Sequence, residues 1–510
     1  MHLRTARFAL CLFMLASPAA ADLIIGQVVG PNGAGLPGVG IDAIDLINGG
    51  QATLANDSTD AGGFFTTTIP AGVYRIIFKP APPPASTLLV VEVNNVVVSG
   101  TNNMGTITLP QGVSLAGRTV DVNGFPVANV NLDVVNLATG LGVPVQGDAT
   151  NAFGNFTIVV PTTAIEVQFR TDNVVPTLAP IAMQLTLSAN TSLGDVTLEP
   201  GFLLQGIVRK SGALPVVGAD IDVLESVSGD QLFTPNDNTN SSGNFSVVVP
   251  AGTYDVEICP NAADLLVATE LLALSVAGNT NVGIITLIGG VVLSGTITKT
   301  GGAPVQNADV DLRLEANGVA VVLCGDNSNA SGNYSVVVPT GTFTVTFSPP
   351  ASSCLGQDFH TGVVISGNQV LNGVLPGVAA TNVNYNASIS PNTDLLSATK
   401  AILGAPWTAT LSRIPATAAG TITLTLKRAK HPNPNGGVAG SPPFGRVLIA
   451  GPLLATLTGA HNGSTGSVSV GVPLTIGYCG LHFTAQARST GGSVANIRLS
   501  SAVDTTIGTF

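Results

Sequence analysis

The sequence predicts an all-β protein, a row of tandem antiparallel β-sandwich modules followed by a C-terminal β-sandwich-like domain. Three observations predict it. Hydrophobic residues make up 45% of the 510-residue chain, charged residues only 9%, and 60 residues are glycine; this suits many short strands joined by tight turns and excludes a disordered chain or a helical bundle. A set of landmarks recurs in four copies. Inside each copy, apolar and polar residues alternate with period two.

The N-terminus comes first in the chain. Arg4 and Arg7 precede the apolar run from Phe8 to Ala16, and Ala19, Ala20 and Ala21 follow Pro18. This is the layout of a secretory signal, with cleavage expected before Asp22. The run is far shorter than the roughly 20 residues needed to cross a bilayer, and Cys11 sits inside it, after Leu10, rather than at a lipidation position. Residues 1–21 are therefore expected to be removed, leaving 29 acidic against 16 basic residues, a net charge of −13. That balance argues against nucleic acid as a partner. No later stretch reads as a transmembrane segment, so the expected location is secreted, extracellular or cell-surface.

A repeat organises the remainder of the chain. A glycine within a strand recurs at Gly26, Gly117, Gly206 and Gly295, in steps of 91, 89 and 89. Pro37, Pro126, Pro215 and Pro304 come next, then Asp57, Asp148, Asp237 and Asp326, then Gly63, Gly154, Gly243 and Gly332. The aromatics Phe65, Phe156, Phe245 and Tyr334 and the prolines Pro70, Pro161, Pro250 and Pro339 complete the set. Tyr254, Val256 and Ile258 alternate with Asp255 and Glu257, giving one buried and one wet strand face. Short strands at this density close most simply as a two-sheet sandwich. The expected modules are 22–110, 111–200, 201–289 and 290–377, with junctions at 108–112, 197–201, 286–290 and 374–377 too short to act as free linkers. One strand length per module would give a rod on the order of 100 Å.

The segments SSGNFSVVVPAGTYDVEI at 241–258 and ASGNYSVVVPTGTFTVTF at 330–347, with glycine-proline stretches such as SGALPVVGADIDV before them, resemble carboxypeptidase regulatory-like modules. That resemblance implies a prealbumin-like or starch-binding-like β-sandwich over residues 22–377, used as an accessory, spacing or binding unit. The second copy departs from it, with Thr163 where the others have Gly72, Gly252 and Gly341, so a different turn is expected there. Residues 378–510 break register; a glycine and Trp407 before an early strand, then GVPLTIGYCGLHFTAQA at 471–487 and IRLSSAVDTTIG at 497–508, resemble a terminal β domain of large exported bacterial proteins. They include Trp407 and the cluster Lys427, Arg428 and Lys430, which reads as a solvated strand end.

Chemistry-bearing motifs are absent. There is no HExxH or GxSxG, no GxxxxGKS or GxGxxG opens a helix, and the histidines at 360, 431, 461 and 482 stand apart. The expectation is a non-catalytic protein without cofactor or metal. The repeated turns DSTDAGG, DATNAFG, DNTNSSG and DNSNASG offer oxygen ligands that calcium would accept. Three of the four carry a single carboxylate, and turn formation is the expected use. Cys324 and Cys354 share a repeat and are a possible disulfide, with other connectivities open. Phe153, Phe233, Trp407 and Tyr478 are the aromatics expected to face outward toward a ligand. The expected role is an extracellular or cell-surface scaffold or adhesion rod whose partner, a protein or a polysaccharide, is unidentified; carbohydrate binding is the alternative. Intact-mass measurement of exported protein should give a chain beginning at Asp22, and a chain beginning near Met1 would contradict the signal reading.

Overall fold

The computed structural model describes residues 22–510 apart from 173, 175–176, 352, 386–391, 414–415, 433–436 and 439–444, so the expected signal at 1–21 lies outside the described residues. Strands dominate, and among the described residues the helical elements are three 3-10 turns of three residues each. None is long and apolar enough to cross a membrane. The protein is all-β, as its composition predicts. It divides into two compact units. The first runs to Arg209 and includes Ala213–Ile258 and Glu270–Thr286; the second comprises Lys210–Gly212, Cys259–Thr269 and Leu287–Phe510.

The second repeat shows the plan. Its first strand, Val113–Asp121, lies between Asn155–Val160, antiparallel, and Thr191–Leu198, parallel. A second sheet holds Leu141–Gly142, Asn131–Asn136, Ala164–Arg170 and Ile181–Thr186 in that order. Leu115, Leu132, Val134, Phe156, Ile158, Val167 and Phe169 fill the space between the sheets. The alternation that placed one face inward at sequence level is seen in Ala164–Arg170, where Ile165, Val167 and Phe169 are buried between more exposed neighbours.

Each repeat departs from a purely antiparallel plan at its first strand. The first strand runs parallel to the last, Asp22–Val29 with Thr101–Thr108, Phe202–Lys210 with Thr280–Thr286, and Val291–Lys299 with Gly373–Leu375. Parallel neighbours require a long crossover, here supplied by the rest of the repeat. The chain consequently enters at one end of the repeat and leaves at the other, as tandem modules require.

The recurring glycine faces the recurring aromatic across the sheet. Gly26 pairs with Phe65, Gly117 with Phe156, Gly206 with Phe245 and Gly295 with Tyr334. A Cβ on Gly206 would stand 2.6 Å from the Phe245 ring and 2.7 Å from Val282. The ring thus covers a strand that has no side chain at that point, which is how an aromatic can cover a strand glycine. The Thr163 exception has the same physical origin. A Cβ on Gly72, Gly252 or Gly341 would meet the ring two residues on, at Tyr74, Tyr254 or Phe343. In the second repeat that residue is Ile165, so no ring demands a glycine.

The turns use their polar residues internally. Asp60, Asn151, Asn240 and Asn329 each accept backbone N–H bonds two and four residues on, at 2.8–3.1 Å. The preceding hydroxyls, Thr59, Thr150, Thr239 and Ser328, are buried. Each accepts from one backbone N–H and donates to a backbone carbonyl: Thr239, for example, accepts from Ala219 at 2.8 Å and donates to Val216 at 2.8 Å. One hydroxyl therefore ties the proline-containing turn to the next strand in every copy.

The C-terminal portion forms a five-stranded sheet containing Thr381–Tyr385, Ser493–Thr506, His482–Gly491, Gly420–Lys430 and Ile449–His461, in that order. Facing it is a three-stranded sheet of Leu395–Ala398, Pro406–Ser412 and Thr465–Gly471. Trp407 is only 1% exposed and packs edge-on against Phe483 with ring centroids 5.2 Å apart, which corrects its placement among outward-facing aromatics. Period two explains this, since Trp407 shares a strand face with the buried Ala409 and Leu411.

Removing the Phe245 ring by alanine should cost about 3–5 kcal/mol of stability in its repeat, and Gly206→Ala about 1–3 kcal/mol by overpacking. Because the two touch, the double variant should lose less than the sum. Denaturant titration checks all three; strict additivity would contradict the contact.

Candidate functional site

The outward-facing aromatics do not converge. Phe153 is 71% exposed at the turn of the second repeat, and Tyr478 is 41% exposed in the C-terminal domain. Phe233 is half-buried and lines an open cleft of about 760 Å³ with Glu166, Gln184, Gln231 and Asp237. Phe153 is accompanied by a residue that sequence reasoning did not single out. Phe125, 67% exposed, sits on the neighbouring turn. Thr119 joins the two turns, since its N–H donates to Gly154 and its carbonyl accepts from Val127. With Val122, 54% exposed, they form an apolar tip. The other copies have Pro31, Ala34 and Gly62, or Ser211, Leu214 and Ser242, or Thr300, Ala303 and Ser331 at these positions. Alignment of the four copies was the signal that could have revealed it.

Both disulfides lie in the second unit, and both reach out of the repeat that was expected to contain one. Cys324 bonds Cys259, with Cα atoms 5.8 Å apart, and Cys354 bonds Cys479 at 5.6 Å. The Cys324–Cys354 pairing is thereby overturned. The physical reason is visible at an earlier junction. Gln146 occupies the position of Cys324 two copies before, and its side chain donates to the carbonyl of Pro80 in the preceding repeat at 2.7 Å. That loop reaches backward, so a cysteine on it meets the end of the previous repeat's strand.

The junctions are hydrogen-bonded segments. Leu89 donates to Pro110 and Gly112 to Thr87; Ala179 donates to Glu199 and Gly201 to Thr177; Val267 donates to Ile288 and Gly290 to Leu265. The last residue of each of these junctions is a glycine in a confined space. A Cβ on Gly112 would lie 2.7 Å from Leu89 and from the Val160 carbonyl, and one on Gly201 would lie 2.4 Å from Val248.

The C-terminal domain contains a cluster that no local motif announced. Asp394, fully buried, receives Arg413 at 3.2 Å and Arg498 at 3.1 Å. Arg413 also donates to the carbonyls of Thr490 and Asn496. His461 accepts from the Gly463 N–H through Nδ1 and contacts the Thr490 carbonyl through Nε2. These groups are engaged with one another and with backbone, the arrangement of a buried ionic clamp. Its members are up to 104 residues apart, beyond the reach of sequence spacing.

Carboxylates in the third and fourth repeats are perturbed. Burial, then the charges of Asp220 and Asp237, raises Asp222 above the ordinary carboxylate range. Burial, then the Asp309 charge, pushes Asp326 up to about 6. In the first two repeats a basic side chain occupies this region, with Lys79 on Asp42 and Arg170 on Asp133 at 3.2 Å.

No protein family matches the chain, and no curated protein matches it. Solved structures with which it has similarity include the Bacillus anthracis TIE protein, at 13% identity over 71% of this chain and 75% of that one, with a TM-score of 0.16. A streptococcal ancillary pilin aligns at 10% identity over 53% of this chain and 99% of its own, with a TM-score of 0.17. The shaft pilin SpaA of Lactobacillus rhamnosus GG aligns at 14% identity over 35% and 97%, also with a TM-score of 0.17.

Asp326 makes a pH test. Its carboxyl binds its proton more tightly in the fold than in the unfolded chain, so its contribution is most favourable below about pH 4 and is lost as pH rises through about 6. Asp326→Asn should raise stability at pH 7 by about 1 kcal/mol, allowing for solvent screening of a half-exposed group, and change nothing at pH 3. Thermal melts at both pH values check the sign.

Proposed function

We propose that this protein is a non-catalytic exported scaffold that holds an adhesive surface at the cell exterior. Its modules would be residues 22–110, 111–200, 201–289 and 290–377, followed by the domain 378–510. The junction chemistry is the observation that supports this best. Backbone pairing recurs from junction to junction, with a confined glycine closing it. A chain selected only for independent binding modules has no need to preserve this feature. Disulfides in the second unit suit an oxidising compartment.

The adhesive contact is assigned to the apolar tip of the second repeat, Val122, Phe125 and Phe153, because exposed aromatics are strong anchors for a protein or polysaccharide partner. Surface labelling of intact cells should detect the chain from outside. Phe125→Ser with Phe153→Ser should leave its display and melting temperature unchanged while reducing cell attachment at least several-fold. A cytoplasmic location would sink the scaffold reading; unchanged attachment would sink the assignment of the tip.

A further inference from the structure

Charge in this chain is segregated by position. Residues 22–377 hold 27 acidic against 8 basic residues, a net charge of −19, whereas residues 378–510 hold 8 basic against 2 acidic, a net charge of +6. Within the C-terminal domain, Arg413 and Arg498 are engaged by buried Asp394. Lys430 lies 3.9 Å from Asp504 and over the Tyr385 ring, yet its side chain is 57% exposed. Lys400, Arg428 and Arg488 are exposed and Lys427 is half-buried. Lys427, Arg428 and Lys430 together close the strand Gly420–Lys430, so three cations gather at one strand end.

The acidic side has a matching deficit, in register. Lys79 and Arg170 neutralise Asp42 and Asp133 from the end of the adjoining strand. The same position holds Cys259 in the third repeat and Ser348 in the fourth. Asp309 and Asp311 in the fourth repeat, with Asp326 beside them, therefore receive no cation from that strand. Arg313, on the same strand face as Asp309 and Asp311, is directed to the Gly318 carbonyl. Burial and the mutual charges raise both Asp309 and Asp326, as expected of carboxylates short of a counter-ion. Each of the described ion pairs lies within one repeat or within the C-terminal domain, so none of them joins the acidic repeats to the basic domain.

We propose that the basic strand end of the C-terminal domain docks on the acidic face of the fourth repeat of a second copy of this chain. A second copy is favoured over another polyanion because the chain itself carries both halves of the contact, the cations at Lys427–Lys430 and a carboxylate face lacking the base that the first two repeats possess. The contact is heterologous: the donor surface differs from the acceptor surface, so successive copies add head to tail. Being electrostatic and near the surface, it weakens with salt.

Sedimentation velocity of the mature full-length chain is the test, run between about 0.01 M and about 1 M salt, over which the Debye length falls from about 30 to about 3 Å. The expected result is concentration-dependent oligomers at low salt and monomer at high salt. Combining Lys427→Glu, Arg428→Glu and Lys430→Glu should abolish assembly, as should combining Asp309→Lys with Asp311→Lys, with folding verified by circular dichroism. Mixing these two charge-reversed chains should restore a dimer, which general loss of stability would not do. Monomer at every salt concentration overturns the proposal. So does a chain that stays monomeric yet binds vesicles containing anionic lipid through the same three cations, which would identify an anionic surface as the occupant.

Discussion

In every repeat an aromatic ring lies across a glycine of the neighbouring strand, and much of the sandwich is arranged around that contact. The ring needs a strand without a side chain; the glycine needs a ring to replace the packing it cannot supply. Gly206 and Phe245 stand directly opposite each other in register, so a one-residue slip of either strand would put the ring on the wrong face. The same pairing sits beside the bulge where the first strand meets the parallel last strand, near the positive-φ residues Gly105, Gly194 and Gly283. One local contact thus sets the register of the strands that flank both ends of the chain's path through the module.

The path of the chain through each repeat depends on that register. Parallel pairing of first and last strands delivers the chain to the far end of each repeat, where a short segment pairs with the preceding loop and ends on a glycine that tolerates no side chain. Hydrogen bonds at these junctions use backbone groups, which do not depend on side-chain identity. Side chains elsewhere were free to diverge, and the divergence is where individuality appears: an apolar tip on the second repeat, a polar cleft beside Phe233, unneutralised carboxylates in the fourth.

The two cysteine bonds illustrate how a module can be altered without disturbing its core. Cys324 takes a loop position that in the second repeat carries Gln146, and exchanges a hydrogen bond to the preceding repeat for a covalent one. Cys354, itself buried, bonds Cys479 in the C-terminal portion. Both changes fall on loops that already faced a neighbour.

The sequence by itself determined the all-β class, the fourfold landmarks and the burial of their aromatics, because period-two alternation and a fixed repeat are properties of local order along the chain. It also determined the turns, since Asp and Asn bonding to amides two and four residues away is a local event. Tertiary structure decided the rest. The parallel strand pair, the disulfide connectivity and the Asp394 clamp join residues far apart in sequence, and no spacing rule specifies which distant partners meet. The tip at Phe125 and Phe153 belongs to the same class: the residues are 28 positions apart, and only the turns' shared attachment to Thr119 brings them together.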